Sequence, residues 1–210
     1  MFRLTLDSEK FASEKEELQK GNTYICGVDE VGRGPLAGPV VCCAVIMPLN
    51  DEDIVKGVDD SKKLTEKKRE ALAKEIKEKA IAYNIYQIES EEIDKINILN
   101  AVKKCMSMAV KGLKISPNIT FIDGNDIGVE LDTVHKYIIK GDSKSYSIGC
   151  ASIVAKVYRD NLMKEYSKEY SEYGFEGHKG YGTKAHIEAI KRVGPCKIHR
   201  RTFIKNFWAE

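Results

Sequence analysis

The chain has 210 residues, 42% hydrophobic and 31% charged, with a formal net charge of +2. That balance fits one soluble α/β-sized domain and excludes a chain coated throughout with cationic charge. No apolar run approaches the roughly 20 residues that cross a bilayer, and the start, Met1 to Asp7, turns acidic too early for a secretory signal. The six cysteines lack a C-x-x-C spacing, and five of them lie inside apolar runs. They read as small buried hydrophobes in a reducing compartment, so a cytoplasmic location is expected. The four histidines are scattered along the sequence and form no zinc pattern.

In chain order, Asp7 to Lys20 reads as an amphipathic helix with Phe11 and Leu18 on one face, closed by Gly21. The next stretch carries most of the chemistry. Ile25 to Val28 is a short apolar run of strand type. Asp29 and Glu30 follow side by side, then Gly32-Arg33-Gly34-Pro35, then a second strand-like run from Pro39 to Met47. Adjacent carboxylates on a regular strand point apart, but at a frayed strand end the backbone can turn and bring both to one site. Like charges that close raise each other's pKa unless a cation lies between them. An oxygen-only ligand set points to a hard ion, Mg2+ or Mn2+. The glycines let a ligand approach the main chain, and Arg33 suits a phosphate oxygen. A tight turn with a solvated acid pair is the plainer reading of Asp-Glu alone, but the complete run outweighs it.

Asn50 to Gly57 is an acidic loop. Asp60-Ser61-Lys62 precedes a helix over Glu66 to Lys79, capped by Thr65, with Leu72 and Ile76 inward. Lys62 and the helix start could hold a phosphate; an ordinary capped loop is an equal alternative. Ala80 to Ile88 is a third strand. Asn97 to Lys111 is the clearest helix, with Leu99, Val102, Met106, Ala109 and Leu113 recurring at three and four. Ile119 to Ile122 is a short strand ending in Asp123, at the carboxyl end where α/β sheets place ligands. His135 to Lys140 is a further strand, Asp142 follows it, and a long helix runs from about Ser147 to Tyr170. Its opening residues, Gly149 to Ser152, are small enough to lie close to a sheet or ligand. Asp160 lies deep in that helix. It reads as an ion-pair partner of Lys156 or Arg159 in preference to a site carboxylate.

Glu176 to Tyr181 reads as a loop. Tyr181, between two glycines, is exposed enough to stack on a sugar or base, or simply anchors the turn. Thr183 caps a helix ending near Val193. The region after Gly174 is locally basic, with Lys184, Lys191, Lys197, Arg200 and Arg201. That fits a polyanionic partner or a solvated surface. The last forty or so residues form a small helical appendage.

Taken together, these motifs resemble the ribonuclease HII family. The resemblance rests on Gly27-Val28-Asp29-Glu30-x-Gly32-Arg33-Gly34-Pro35, Asp60-Ser61-Lys62-Lys63-Leu64 and Ile122-Asp123-Gly124. Further on it rests on Gly141-Asp142, Ala151-Ser152 through Arg159-Asp160, Lys179-Gly180-Tyr181-Gly182-Thr183 and His199-Arg200. The motifs run in order from about Tyr24 to Phe203. Val31, Cys150 and His178 depart from the usual alanine, alanine and asparagine.

The resemblance implies a ribonuclease H-like α/β fold: a five-stranded mixed sheet flanked by helices, in one domain over 1–210 with a helical, basic extension over about 172–210. It implies a monomeric, cytoplasmic endoribonuclease that cuts the RNA strand of RNA–DNA hybrids. It also implies incision 5′ of single ribonucleotides in duplex DNA, the entry step of ribonucleotide excision repair, leaving 3′-hydroxyl and 5′-phosphate ends. Asp29, Glu30, Asp123 and Asp142 map to the carboxylates that bind two divalent ions, Mn2+ or Mg2+. Gly32, Arg33, Gly34 and Tyr181 map to the sensor of the ribose 2′-hydroxyl. Lys62 is a candidate phosphate contact, and Ser152 and Asp160 are supporting residues. A junction resolvase of the same fold and a catalytically silent hybrid-binding module are the rival readings.

Overall fold

The computed structural model of the chain describes residues 8–208. A 3-10 turn, Glu9–Phe11, leads into α1 (Ala12–Gln19); Asp7, the expected start of this helix, lies outside the described residues. β1 (Ile25–Val31) and β2 (Val40–Ile46) form an antiparallel pair around the glycine loop. Then come α2 (Glu66–Lys79), β3 (Ala82–Ile88), α3 (Ser90–Ile96) and α4 (Ile98–Lys111). β4 (Ile119–Asp123) and β5 (His135–Ile138) complete a sheet of order β3-β2-β1-β4-β5, with the β1–β4 and β4–β5 pairs parallel. The turn α5 (Gly141–Lys144) precedes the long helix α6 (Tyr146–Glu169). The chain ends with α7 (Phe175–His178), α8 (Lys184–Val193) and α9 (Arg201–Ile204).

β2 is buried along its whole length, and its alternating residues serve two cores. Cys43 and Val45 pack with Leu72 and Ile76 of α2 and Ala151 and Val154 of α6. Cys42, Ala44 and Ile46 pack with Val102, Cys105, Met106 and Ala109 of α4. A strand covered on both faces reads as an unbroken apolar run, which is the pattern in the sequence. α6 lies tight on β1 because Gly27 has no side chain: a Cβ there would stand 2.1 Å from the Ser147 carbonyl carbon. Five of the cysteines are free and buried, as their apolar surroundings imply.

Several expectations are corrected. β1 does not end at Val28 but runs through Asp29 and Glu30 to Val31. The helix expected over Asn97 to Lys111 begins at Ile98, and a separate α3 precedes it; Asn97, at φ +65°, makes the break. Leu99 is exposed where its spacing placed it in the core. The Glu176–Tyr181 loop begins inside the short helix α7. Arg200 is wholly buried, so it belongs to the interior and not to a basic surface.

Candidate active site

The parallel pair β1–β4 carries its last registered pair at Val28 and Ile122. One residue further on stand Asp29 and Asp123. From Asp29 to Val31 only β2 accompanies β1, so the β4 side of the strand is open. Both faces of β1 border the same cleft there, and neighbouring carboxylates reach it without any fraying. β5 ends at Ile138, and the short turn after it brings in Asp142. Asp29, Glu30, Asp123 and Asp142 thus line one cleft of about 280 Å³ together with Ser61, Lys62, Ser152, Lys156 and Tyr181.

The carboxylates are held from behind. Asp29 accepts the Glu30 amide at 2.7 Å and is hydrogen-bonded by Ser152. The Ser152 hydroxyl also pairs with that of Ser61 at 3.0 Å. Asp123 Oδ1 accepts the Gly141 amide at 2.6 Å, which ties the end of β4 to the turn bearing Asp142. On the far side of that turn, Lys10 Nζ donates to the Asp142 carbonyl at 3.0 Å. Buried Glu14 accepts the Ser145 hydroxyl at 2.6 Å and the Ser147 amide at 3.0 Å, fixing the start of α6. Neither Lys10 nor Glu14 stands out in the sequence, where both look like ordinary charges on a surface helix.

Burial and crowding raise the pKa values of this set. Asp29 rises well above the usual carboxylate range, first by desolvation, then by the charges of Glu30 and Asp123. Glu30 is lifted to about 7 by burial and then Asp123, with Arg33 and Lys62 pulling the other way. Asp123 rises by burial, against the Gly141 amide and with Asp142 adding to it. Carboxylates that repel one another in this way favour a bound cation. Among the described residues, no three Asp, Glu, His or Cys side chains close into a finished metal cage. The donor set nonetheless fits a hard divalent ion: oxygen only, desolvated and rich in negative charge.

The glycine loop flanks the cleft without lining it. Gly32 is buried at φ +91°, and a Cβ there would stand 2.3 Å from Arg159 Nε. Arg33 and Gly34 are exposed. Gly34 has no such constraint, since a Cβ would meet only the Tyr181 ring at 3.9 Å. Two wholly buried arginines set the loop's shape. Arg159 donates to the carbonyls of Pro39 (2.9 Å), Ala37 (3.1 Å) and Lys179 (2.9 Å). Arg200 donates to those of Gly32 (2.6 Å), Arg33 (3.0 Å) and Gly38 (2.8 Å). Arg159 thus ties the glycine loop to the Lys179 segment, while Arg200 pins the two ends of the glycine loop to each other; the partners of both are carbonyls and not carboxylates. Asp160 faces elsewhere. It takes Lys156 at 2.7 Å and Arg69 at 3.8 Å, leaving Arg159 to the carbonyls. Through Lys156 it stands one step behind the cleft.

A five-stranded mixed sheet with acids at the carboxyl ends of its parallel strands is the ribonuclease H-like fold. The sequence profile described as Ribonuclease HII matches residues 26–210. A ribonuclease HII of Caldicellulosiruptor bescii is 52% identical over 204 residues, covering 97% of this chain and 98% of that protein. Among solved structures, the ribonuclease H2 of Pyrococcus horikoshii OT3 superposes with a TM-score of 0.71 at 29% identity, over 85% of this chain and 92% of that one. The ribonuclease HII in the PCNA:RNase HII complex of Archaeoglobus fulgidus gives 0.72 at 26%, over 85% and 94%. The chain belongs to the ribonuclease HII family. It is accordingly a hydrolase, an endoribonuclease directed at the RNA strand of RNA–DNA hybrids. No described helix is long and apolar enough to cross a membrane.

Proposed function

We propose that the chain cuts the RNA strand of hybrids and incises 5′ of single ribonucleotides in duplex DNA by divalent-metal-assisted hydrolysis, leaving 3′-hydroxyl and 5′-phosphate ends. The observation that carries this reading is the meeting of Asp29, Glu30, Asp123 and Asp142 in one cleft with Tyr181 at its rim. These four carboxylates would hold two ions, Mg2+ or Mn2+. When bound, such ions activate water and stabilise the leaving oxygen.

The chain's own groups orient the substrate. Lys62 and Arg33 stand near enough to Glu30 to lower its pKa, and both are exposed, as a phosphate contact requires. Ser152 steadies Asp29, and Asp160 steadies Lys156. Telling RNA from DNA requires contact with the 2′-hydroxyl from the shallow minor groove. The exposed Gly34 supports that role: nothing within the fold demands a glycine there, and an added side chain would occupy the open space beside Tyr181. Tyr181, 42% exposed and lining the same cleft as the carboxylates, would read the ribose.

Asp29→Asn and Asp123→Asn test the metal assignment. Each is expected to abolish cleavage with the fold retained by circular dichroism, because an amide is a far weaker ligand. Near-normal turnover by either folded variant would refute it.

A further inference from the structure

Three of the four histidines, His178, His186 and His199, gather beside the Tyr181 loop, while His135 stays on β5. His186 and His199 are buried, with Nε2 atoms 3.0 Å apart. At one end, the Cys196 amide donates to His199 Nδ1 at 2.9 Å. At the other, His186 Nδ1 lies 2.9 Å from the carbonyl oxygen of Tyr181. A backbone N–H can only donate and a carbonyl can only accept. The two ends therefore fix every proton between them. His199 must accept at Nδ1 and carry its hydrogen on Nε2. His186 must accept that hydrogen at Nε2 and donate from Nδ1 to Tyr181. A further proton on either ring would set N–H against N–H. Burial agrees with this, holding the two imidazoles down to about 4 and about 3.

The surroundings keep the pair in place. Phe175 meets His186 edge-on at 5.4 Å between ring centres, and His178 stacks on it at 4.4 Å. His178 is fixed in the same way: it accepts the Gly180 amide at 3.2 Å and faces the Tyr173 carbonyl at 2.8 Å. The loop held by these rings also receives the Leu36 amide on the Gly180 carbonyl at 2.8 Å. The histidines, the tyrosine loop and the glycine loop are therefore one connected framework.

We propose that His186 and His199 are positioning residues for substrate selection: a neutral imidazole pair of fixed polarity, running from the Cys196 amide to the Tyr181 carbonyl, sets the Tyr181 ring against Gly34 at the rim of the cleft. This rests on the reading of Tyr181 given above. The pair touches no substrate and acts only through Tyr181.

Long-range 15N–1H spectra of the full wild-type chain at pH 7 read the protons directly. His186 protonated on Nδ1 and His199 on Nε2 is the expected result; the opposite tautomer, or a doubly protonated ring, overturns the proposal without any variant being made. His186→Leu removes both bonds, whereas His186→Asn keeps an N–H near the place of Nδ1. On a duplex with one ribonucleotide, the leucine variant is expected to lose about 10- to 100-fold in kcat, with KM changed less than about twofold and the Tyr181 ring signal shifted. The asparagine variant is expected to recover most of both. A folded leucine variant with wild-type kcat and an unmoved ring signal overturns the proposal, as does equal loss in both variants. Wild-type cutting by Tyr181→Ala would instead overturn the reading of Tyr181, while the tautomers and the ring signal still decide the positioning.

Discussion

Glu30→Gln isolates the cost of packing acids together. Burial and the charge of Asp123 lift Glu30 from 4.5 to about 7, a rise worth roughly 3 kcal/mol for a fully enclosed group. Glu30 is only partly buried, and screening reduces this to about 1–2 kcal/mol. The sign follows from proton binding. Between pH 4.5 and about 7 the folded chain holds a proton at Glu30 that the unfolded chain has released. Stability of the metal-free protein therefore falls through that window, and the penalty is complete above it. Removing the charge should raise the melting temperature at pH 8 in chelator by about 3–6 °C for a chain of this size. At pH 4.5 the gain should vanish. Mn2+ should then stabilise the wild type more than the variant. Scanning calorimetry at the two pH values, with and without Mn2+, measures all of this. A glutamine variant that melts at or below the wild type at pH 8 in chelator would refute the frustrated-cluster reasoning.

Other substitutions reach the supports of the site. Arg200→Met leaves the carbonyls of Gly32, Arg33 and Gly38 without their buried donor; at about 1–3 kcal/mol for each unsatisfied group, a loss above about 3 kcal/mol is expected in urea titration. A loss below 1 kcal/mol would show that water replaces the guanidinium. Gly27→Ala drives a Cβ into the Ser147 backbone, and insoluble or strongly destabilised protein is expected; a wild-type urea midpoint would disprove the tight β1–α6 contact. Tyr181→Ala should lose the preference for a ribonucleotide over all-DNA duplex with hybrid binding nearly intact, as read by parallel cleavage and anisotropy measurements. Asp160→Asn breaks the Lys156 pair and should reduce turnover less than Asp29→Asn does; equal losses would move Asp160 into the cleft itself.

Much of this architecture is legible in the sequence where local physics decides it. Thr65 and Thr183 cap helices whose starts are read correctly, because a side-chain oxygen accepting an amide three residues on is a local event. β2 is legible because two-sided burial leaves an unbroken apolar run. Asp123 is legible because a short apolar strand ends on it. What escapes is what only the assembled fold decides. Asp29 and Glu30 share a cleft because β4 stops beside them, not because β1 frays. Arg159 reads as an ion-pair partner and Arg200 as a surface charge until the glycine loop surrounds them with carbonyls. Lys10, Glu14 and the histidine pair find their partners more than a hundred residues away or across several turns. Leu99 keeps helical spacing yet faces solvent, in the first turn of α4.

The central claim is that carboxylates brought together from separate strands work beside a loop that detects one sugar oxygen. Its most direct test is cleavage, in Mn2+, of two duplexes identical except for a single 2′-hydroxyl. Incision only of the duplex bearing that hydroxyl, on its 5′ side and with 3′-hydroxyl and 5′-phosphate ends, is the expected result. Equal cutting of both duplexes, or of neither, would contradict the claim.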